Sequence, residues 1–330
     1  MTRSFLVAAV LAALAASPAL VPNAFAQDKV TKATNWKAQA EHGGYYQAVA
    51  TGIYAKYGLD VTIRQGGPQV DNNLLMLAGR IDFNMGGNSD SVFAFAEKNI
   101  PFRAVAAIFQ KDPQILMSHP GVGNDSLAAL KGKKVLISKA GVVSFYPYLK
   151  KMFGFTDEMV VPYTFNIAPF LADKQISQQG YATSEPYAAI KAGVTPVVHL
   201  LADNGYRTYS TTIEVSQKLI DEKPDLVQRF VDASILGWKD YLYGNPAPGN
   251  ALIKKDNPDM TDDQIAFSIE AMKKYGIVDS GDAKTLGIGA MTDQRWKAAF
   301  DDAQALGVYA PGTDYTKAYT TKFVNKKVGL

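Results

Sequence analysis

There is no cysteine anywhere in the 330 residues. That single absence removes disulfides, a lipid-anchored N-terminal cysteine, thiolate metal sites and cysteine nucleophiles together. Histidine is scarce as well, and the three present, His42, His119 and His199, have no metal-ligand spacing. Nucleotide-loop signatures are missing too. The stretch "GVGNDS" (Gly121 to Ser126) lacks the last glycine of a dinucleotide fingerprint, and no GxxxxGK loop occurs. Neither sign of charge is in excess: 34 Lys plus Arg against 31 Asp plus Glu leave a formal +3, far too balanced for a nucleic-acid footprint. Beyond residue 26 no run is apolar enough to span a membrane, which takes roughly 20 consecutive residues.

What is present starts with an address. Arg3 supplies a positive n-region, "FLVAAVLAALAA" (Phe5 to Ala16) an apolar h-region, and "AFA" (Ala24 to Ala26) a small-residue cleavage site. Residues 1–26 therefore read as a secretory signal peptide, with the mature chain starting near Gln27. About 300 mature residues at 47% hydrophobic exceed what one simple core usually holds, so two lobes are expected.

The mature sequence then repeats strand and helix. In "GYYQAVATGIYAKYG", Tyr46, Val49, Ala50, Ile53 and Tyr57 recur at three- and four-residue spacing, an amphipathic helix closed by Gly58. "LDVTI" alternates as a half-buried strand does, "QVDNNLLMLAGR" reads as a helix and "IDFNM" as the next strand. Asn88 or Ser89 is placed to cap the helix that follows. The rhythm restarts after "HPGVGND" and continues to about Asp203, which gives a second, similarly built α/β lobe. From there the chain turns mainly helical, with breaks at Pro224, Pro246, Pro258 and Pro311.

"HGGYYQAVATGIYAKYGLDVTIRQGG", "LLMLAGRIDFNMGG", "IPFRAVAAIFQKDPQILMSHPG", "SLAALKGKKV" and "TSEPYAAIKAGV" together resemble the NMT1/THI5-like, or nitrate/sulfonate/pyrimidine-type, solute-binding proteins of ABC importers. The resemblance runs from about Trp36 to Tyr243. It implies an α/β, type II periplasmic-binding-protein fold: two lobes joined by two crossover segments, with a ligand cleft and a hinge between them. The crossings are expected near Met117 to Gly121 and Asn204 to Thr208. Residues 27–118 with 207–330 would form the first lobe and 119–206 the second. The resemblance further implies a periplasmic monomer that delivers a small molecule to a membrane permease, with no cofactor and no metal.

Under that reading, strand-to-helix turns form the cleft walls, because open α/β sheets bind ligands at the carboxyl ends of their strands. Gly43 and Gly44 allow close backbone approach, while Tyr45 and Tyr46 offer flat surfaces tipped by a hydroxyl. Tyr46 also fits core packing by its spacing. Trp36, at the end of the first strand, suits either ring stacking or the lobe core. His42 stands where the pyrimidine-binding branch carries a histidine, which implies a contact to a heterocycle; capping is its other use. Asn88 and Ser89 suit both capping and ligand binding. From the second lobe come Ser138, Ser144 and Phe145, with Lys139 an exposed flank, then Tyr163, Phe165 and Asn166, and finally Tyr181, Ser184 and Glu185. Glu185 matches an acidic residue of an "EP" pair in pyrimidine-binding relatives, and a carboxylate there would accept ring N–H bonds; a first-turn glutamate also complements a helix dipole.

The expected ligand is thus a small planar nitrogen heterocycle, akin to a thiamine-pyrimidine precursor. Aliphatic sulfonate, taurine or nitrate is the alternative, since strong acids can be held by helix N-termini alone. A third reading, a pyrimidine synthase like the eukaryotic relatives of this fold, conflicts with the missing cysteine-rich motif and the export signal.

Overall fold

The computed structural model describes residues 26–67 and 69–330; the signal-peptide reading falls almost wholly outside them. Ten strands run through the described residues. Leu59 and Val61 are buried and Asp60 and Thr62 exposed in β2, Leu59–Arg64, as period-two alternation requires. It pairs in parallel with β1, Asp28–Ala33, Asp28 opposite Leu59. A bridge from Lys32 to Phe83 leads on to β3, Asn84–Met85. With β4, Phe102–Phe109, and β10, Ser210–Ser216, it makes a sheet ordered β3-β10-β4, antiparallel throughout.

A third sheet holds β5, Gln114–Ser118; β6, Val135–Ile137; β7, Val160–Pro162; β8, Ser177–Tyr181; and β9, Val197–Leu200, in the order β7-β6-β8-β5-β9. β6 runs parallel to β7 and β8, and β5 antiparallel to β8 and β9. All five residues of β5 are buried and pair inside this sheet. That places the outward crossing at residues 110–113, ahead of the expected 117–121, because the apolar run "QILMS" is itself a central strand. The chain returns through residues 205–209 into β10.

No helix among the described residues is long and apolar enough to cross a membrane. The expected single helix from Tyr45 to Tyr57 is two, Gly43–Ala50 and Ile53–Lys56, because Gly52 takes a left-handed φ of 69° between them. The long helix Pro224–Tyr243 packs over the first of these. Phe230 stacks on Phe83 with ring centroids 3.8 Å apart and on Tyr54 at 5.3 Å, a buried aromatic ladder tying the C-terminal helices to the first sheets.

That packing corrects the reading of the "HGGYY" turn. A Cβ added at Gly43 would lie 2.0 Å from the Tyr241 ring, and one at Gly44 2.2 Å from Trp238. The glycines let a helix approach, not a ligand. Tyr45 is wholly buried against Trp238, and Tyr46 donates from its hydroxyl to the Asp256 carboxylate at 2.9 Å. Tyr45 thus faces the helix Pro224–Tyr243 and Tyr46 the helix Ala247–Asp256.

Candidate functional site

β1 and β3 end beside one another, and a cavity of about 540 Å³ opens there, lined by Asn35, Asp71, Asn72, Asn84, Gly86 and Ser91 among others. Side-chain amides dominate it. Asn35 is held from behind by His42: the ring Nε2 lies 3.1 Å from Asn35 Oδ1, so the Nε2–H tautomer donates to that oxygen. His42 has no exposed surface, and burial, helped by the nearby Lys32 charge, drives its pKa down to about 3. The histidine is therefore a neutral donor one layer behind the cavity wall rather than in it.

One residue beyond Asn35, Trp36 reaches toward the other sheet. Its ring centroid is 5.7 Å from that of Phe165, which follows β7 and is 62% exposed; Phe165 in turn lies 5.2 Å from Tyr163. Three rings from two sheets thus meet at the boundary between those sheets. The Tyr163 hydroxyl donates to Glu185 Oε1 at 3.5 Å, and Glu185 Oε2 accepts the Tyr181 N–H at 2.7 Å. Burial raises the Glu185 carboxyl above its ordinary value.

Other carboxyls gather along the same boundary. Glu41, beside His42, accepts the Thr183 hydroxyl from the loop between Tyr181 and Glu185, and burial pushes it up to about 7. Thr183 O accepts from Ser268 on the helix Asp262–Tyr275 at 2.7 Å, so that loop is gripped from two sides. Asp112, in the outward crossing, is raised by burial to about 7 and Asp90 to about 6, each feeling Asn88 as a hydrogen-bond partner. A carboxyl raised in this way can donate a hydrogen bond when protonated and accept one when ionised.

The remaining expected residues sit as follows. Asn88 caps the helix Ser89–Glu97, its oxygen accepting the Asp90 N–H at 3.0 Å and its amide donating to the Tyr206 hydroxyl at 3.3 Å. Ser89 is buried and its Oγ accepts the Tyr209 N–H at 3.1 Å, pinning the return crossing. Ser138 caps the turn Lys139–Val143 by accepting from Gly141 N–H. Ser144 lines a small gap of about 30 Å³ with Asp90 and Tyr206. Phe145 is buried among Tyr148 and Leu149 in the second lobe's own core, because the helix it opens faces inward there. Asn166 is exposed and caps Ala168. Trp36, Tyr181 and Glu185 come together at the boundary, whereas Gly43, Tyr45, Tyr46 and Phe145 do not. Glu41, Asp90, Asp112, Asn35 and Asn84 escaped notice, although Glu41 and Asp90 sit next to residues singled out.

Residues 39–248 match the family model described as NMT1/THI5 like. The riboflavin-binding protein RibY of Chloroflexus aurantiacus is 26% identical over 324 residues, covering 94% of this chain and 91% of RibY. The periplasmic aliphatic sulphonate binding protein SsuA of Escherichia coli shares the fold with a TM-score of 0.66 at 13% identity, over 88% of this chain and 91% of SsuA. The desulfurization enzyme DSZB superposes with a TM-score of 0.56 at 13% identity, over 91% and 99% of the two chains. The architecture is therefore that of the periplasmic binding proteins, two α/β lobes with a cleft between them.

Proposed function

The chain belongs to the NMT1/THI5-like family, and on that premise we propose that it is the solute receptor of an ABC importer, capturing a small planar nitrogen heterocycle between its two lobes. The observation that carries this reading is the wall in which Trp36 from the first lobe meets Phe165 and Tyr163 from the second, with Glu185 beneath. Flat rings stack there, and the carboxyl answers ring N–H or amino groups. Closure follows from the layout: with wall residues on both sides of the crossings, a solute meets its full set of contacts only when the lobes shut. The tricyclic ring of riboflavin, the solute named for RibY, belongs to the same chemical class.

An anionic solute is the weaker match: Glu41, Asp90, Asp112 and Glu185 flank the boundary, and in their ionised forms they repel a sulfonate. Binding without turnover is the reading that the solute-binding relative supports.

The test is a thermal-shift and calorimetric screen of protein stripped of carried-over solute by unfolding and refolding. Pyrimidines, riboflavin, purines, taurine, butanesulfonate and nitrate form the panel, since a solute that binds only the native state raises the melting temperature. A hit among heterocycles is expected, and Glu185→Gln then weakens an amino-substituted ring by roughly tenfold. A response to sulfonates or nitrate alone overturns the proposal.

A further inference from the structure

The cavity floor has a hydrogen-bond polarity that can be worked out from what lies behind it. Asn84, 3% exposed, spends its amide on the buried Glu214, Nδ2 donating to Oε2 at 2.8 Å, and its own Oδ1 is buried with no partner. Asn72 does likewise: Nδ2 donates to Thr34 O at 2.9 Å, and Oδ1 is buried and unpartnered. The Ser91 hydroxyl lies 2.5 Å from Glu214 Oε1 and 2.9 Å from Asn88 O, so either bond commits its single proton away from the cavity. Asn35 is the converse case, its oxygen taken by His42 and its amide N–H groups left over.

Glu214 is built into this position. It is wholly buried on β10, where the pairing with β4 shifts register between Ile213 and Glu214, and a bulge of that kind re-aims a side chain. Gly86 makes the room, because a Cβ there would fall 2.0 Å from Glu214 Oε1. Thr212 donates to the same oxygen at 3.2 Å, and Lys32, buried, without a hydrogen-bond partner and lowered by burial to about 7, lies near enough for its charged form to favour the Glu214 carboxylate. Donors converge on Glu214 from several sides, and Asn84, which serves it, leaves its own Oδ1 unpartnered.

We propose that this floor selects uncharged solutes rich in N–H or O–H donors, with Asn72, Asn84 and Ser91 as acceptors, Asn35 as an amide donor, and Glu214 and His42 as positioning residues that fix those orientations without touching the solute. The inference rests on the solute-receptor reading but extends it from ring shape to hydrogen-bond pattern, and it also covers polyols. A buried acceptor left unmatched is costly, so a solute whose donor is blocked loses affinity.

The experiment is isothermal titration with matched probes: 4-amino-2,5-dimethylpyrimidine against its 4-dimethylamino analogue, riboflavin against 3-methylriboflavin, ribitol, and taurine. The donor-bearing member of a binding pair is expected to be at least tenfold tighter. Asn72→Ala, at a partly exposed helix start, should reduce that ratio several-fold while leaving the blocked probe unchanged, and Glu214→Gln should reduce it further if it folds. Heterocycles that bind regardless of donors overturn this inference and leave the heterocycle proposal standing. Binding of ribitol but no heterocycle does the reverse, and taurine alone, or no probe at all, overturns both.

Discussion

Glu41 is a buried carboxyl whose ionisation is postponed toward neutral pH, and its titration makes a prediction at the scale of one residue. Burial raises it from about 4.5 to about 7, with the Glu185 carboxyl adding to the shift. Its stabilising contribution is complete below about pH 4.5 and is lost as the pH rises through about 7. Glu41→Gln keeps an oxygen for Thr183 and removes that loss. The variant should therefore gain stability over its parent between pH 5 and pH 8, by ~2 kcal/mol at the upper end, followed as the difference in melting temperature at each pH. Asp112 pulls in the same direction, while His42, depressed to about 3, acts oppositely, its contribution lost as the pH falls from about 6.5 through 3. Parent and variant must be compared at matched pH for that reason. A flat difference would mean that Glu41 is ionised in the native protein throughout.

At the scale of elements, the glycine pair at the start of the helix Gly43–Ala50 is the sharpest structural commitment. Gly43→Ala drives a methyl group into Tyr241 and should cost ~3 kcal/mol by denaturant unfolding, with solute affinity little changed in the fraction that folds. Local pattern was enough to place most strands and caps. The alternation of Leu59, Val61 and Ile63 forms β2, and Asn88 caps its helix as its position suggests. Partners distant in sequence were the illegible part. Nothing in "HGGYY" tells that Tyr241 and Trp238, some 200 positions on, will take the space its glycines leave, so close approach was assigned to a ligand. Glu214 likewise lies 130 positions from Asn84. Period and turn chemistry report which face is buried, but not what covers it.

For the whole molecule, closure predicts a change in shape. A bound solute should reduce the radius of gyration in solution scattering, and an unchanged profile would remove the hinge from the mechanism. The crossings at residues 110–113 and 205–209 carry Asp112 and Tyr206 respectively, so such a movement would bend the chain where the buried acids Asp90 and Asp112 lie. The pairing of Trp36 with Phe165 has one more consequence. Of the three tryptophans, Trp238 and Trp296 are wholly buried, and Trp36 alone is partly open, at the boundary between the lobes. Opening would wet its indole and closing would dry it, so emission from this one side chain is a built-in optical gauge of the lobes. Titrated with a captured solute, the intrinsic fluorescence should shift toward the blue, and Trp36→Phe should abolish the shift while the light from the other two persists.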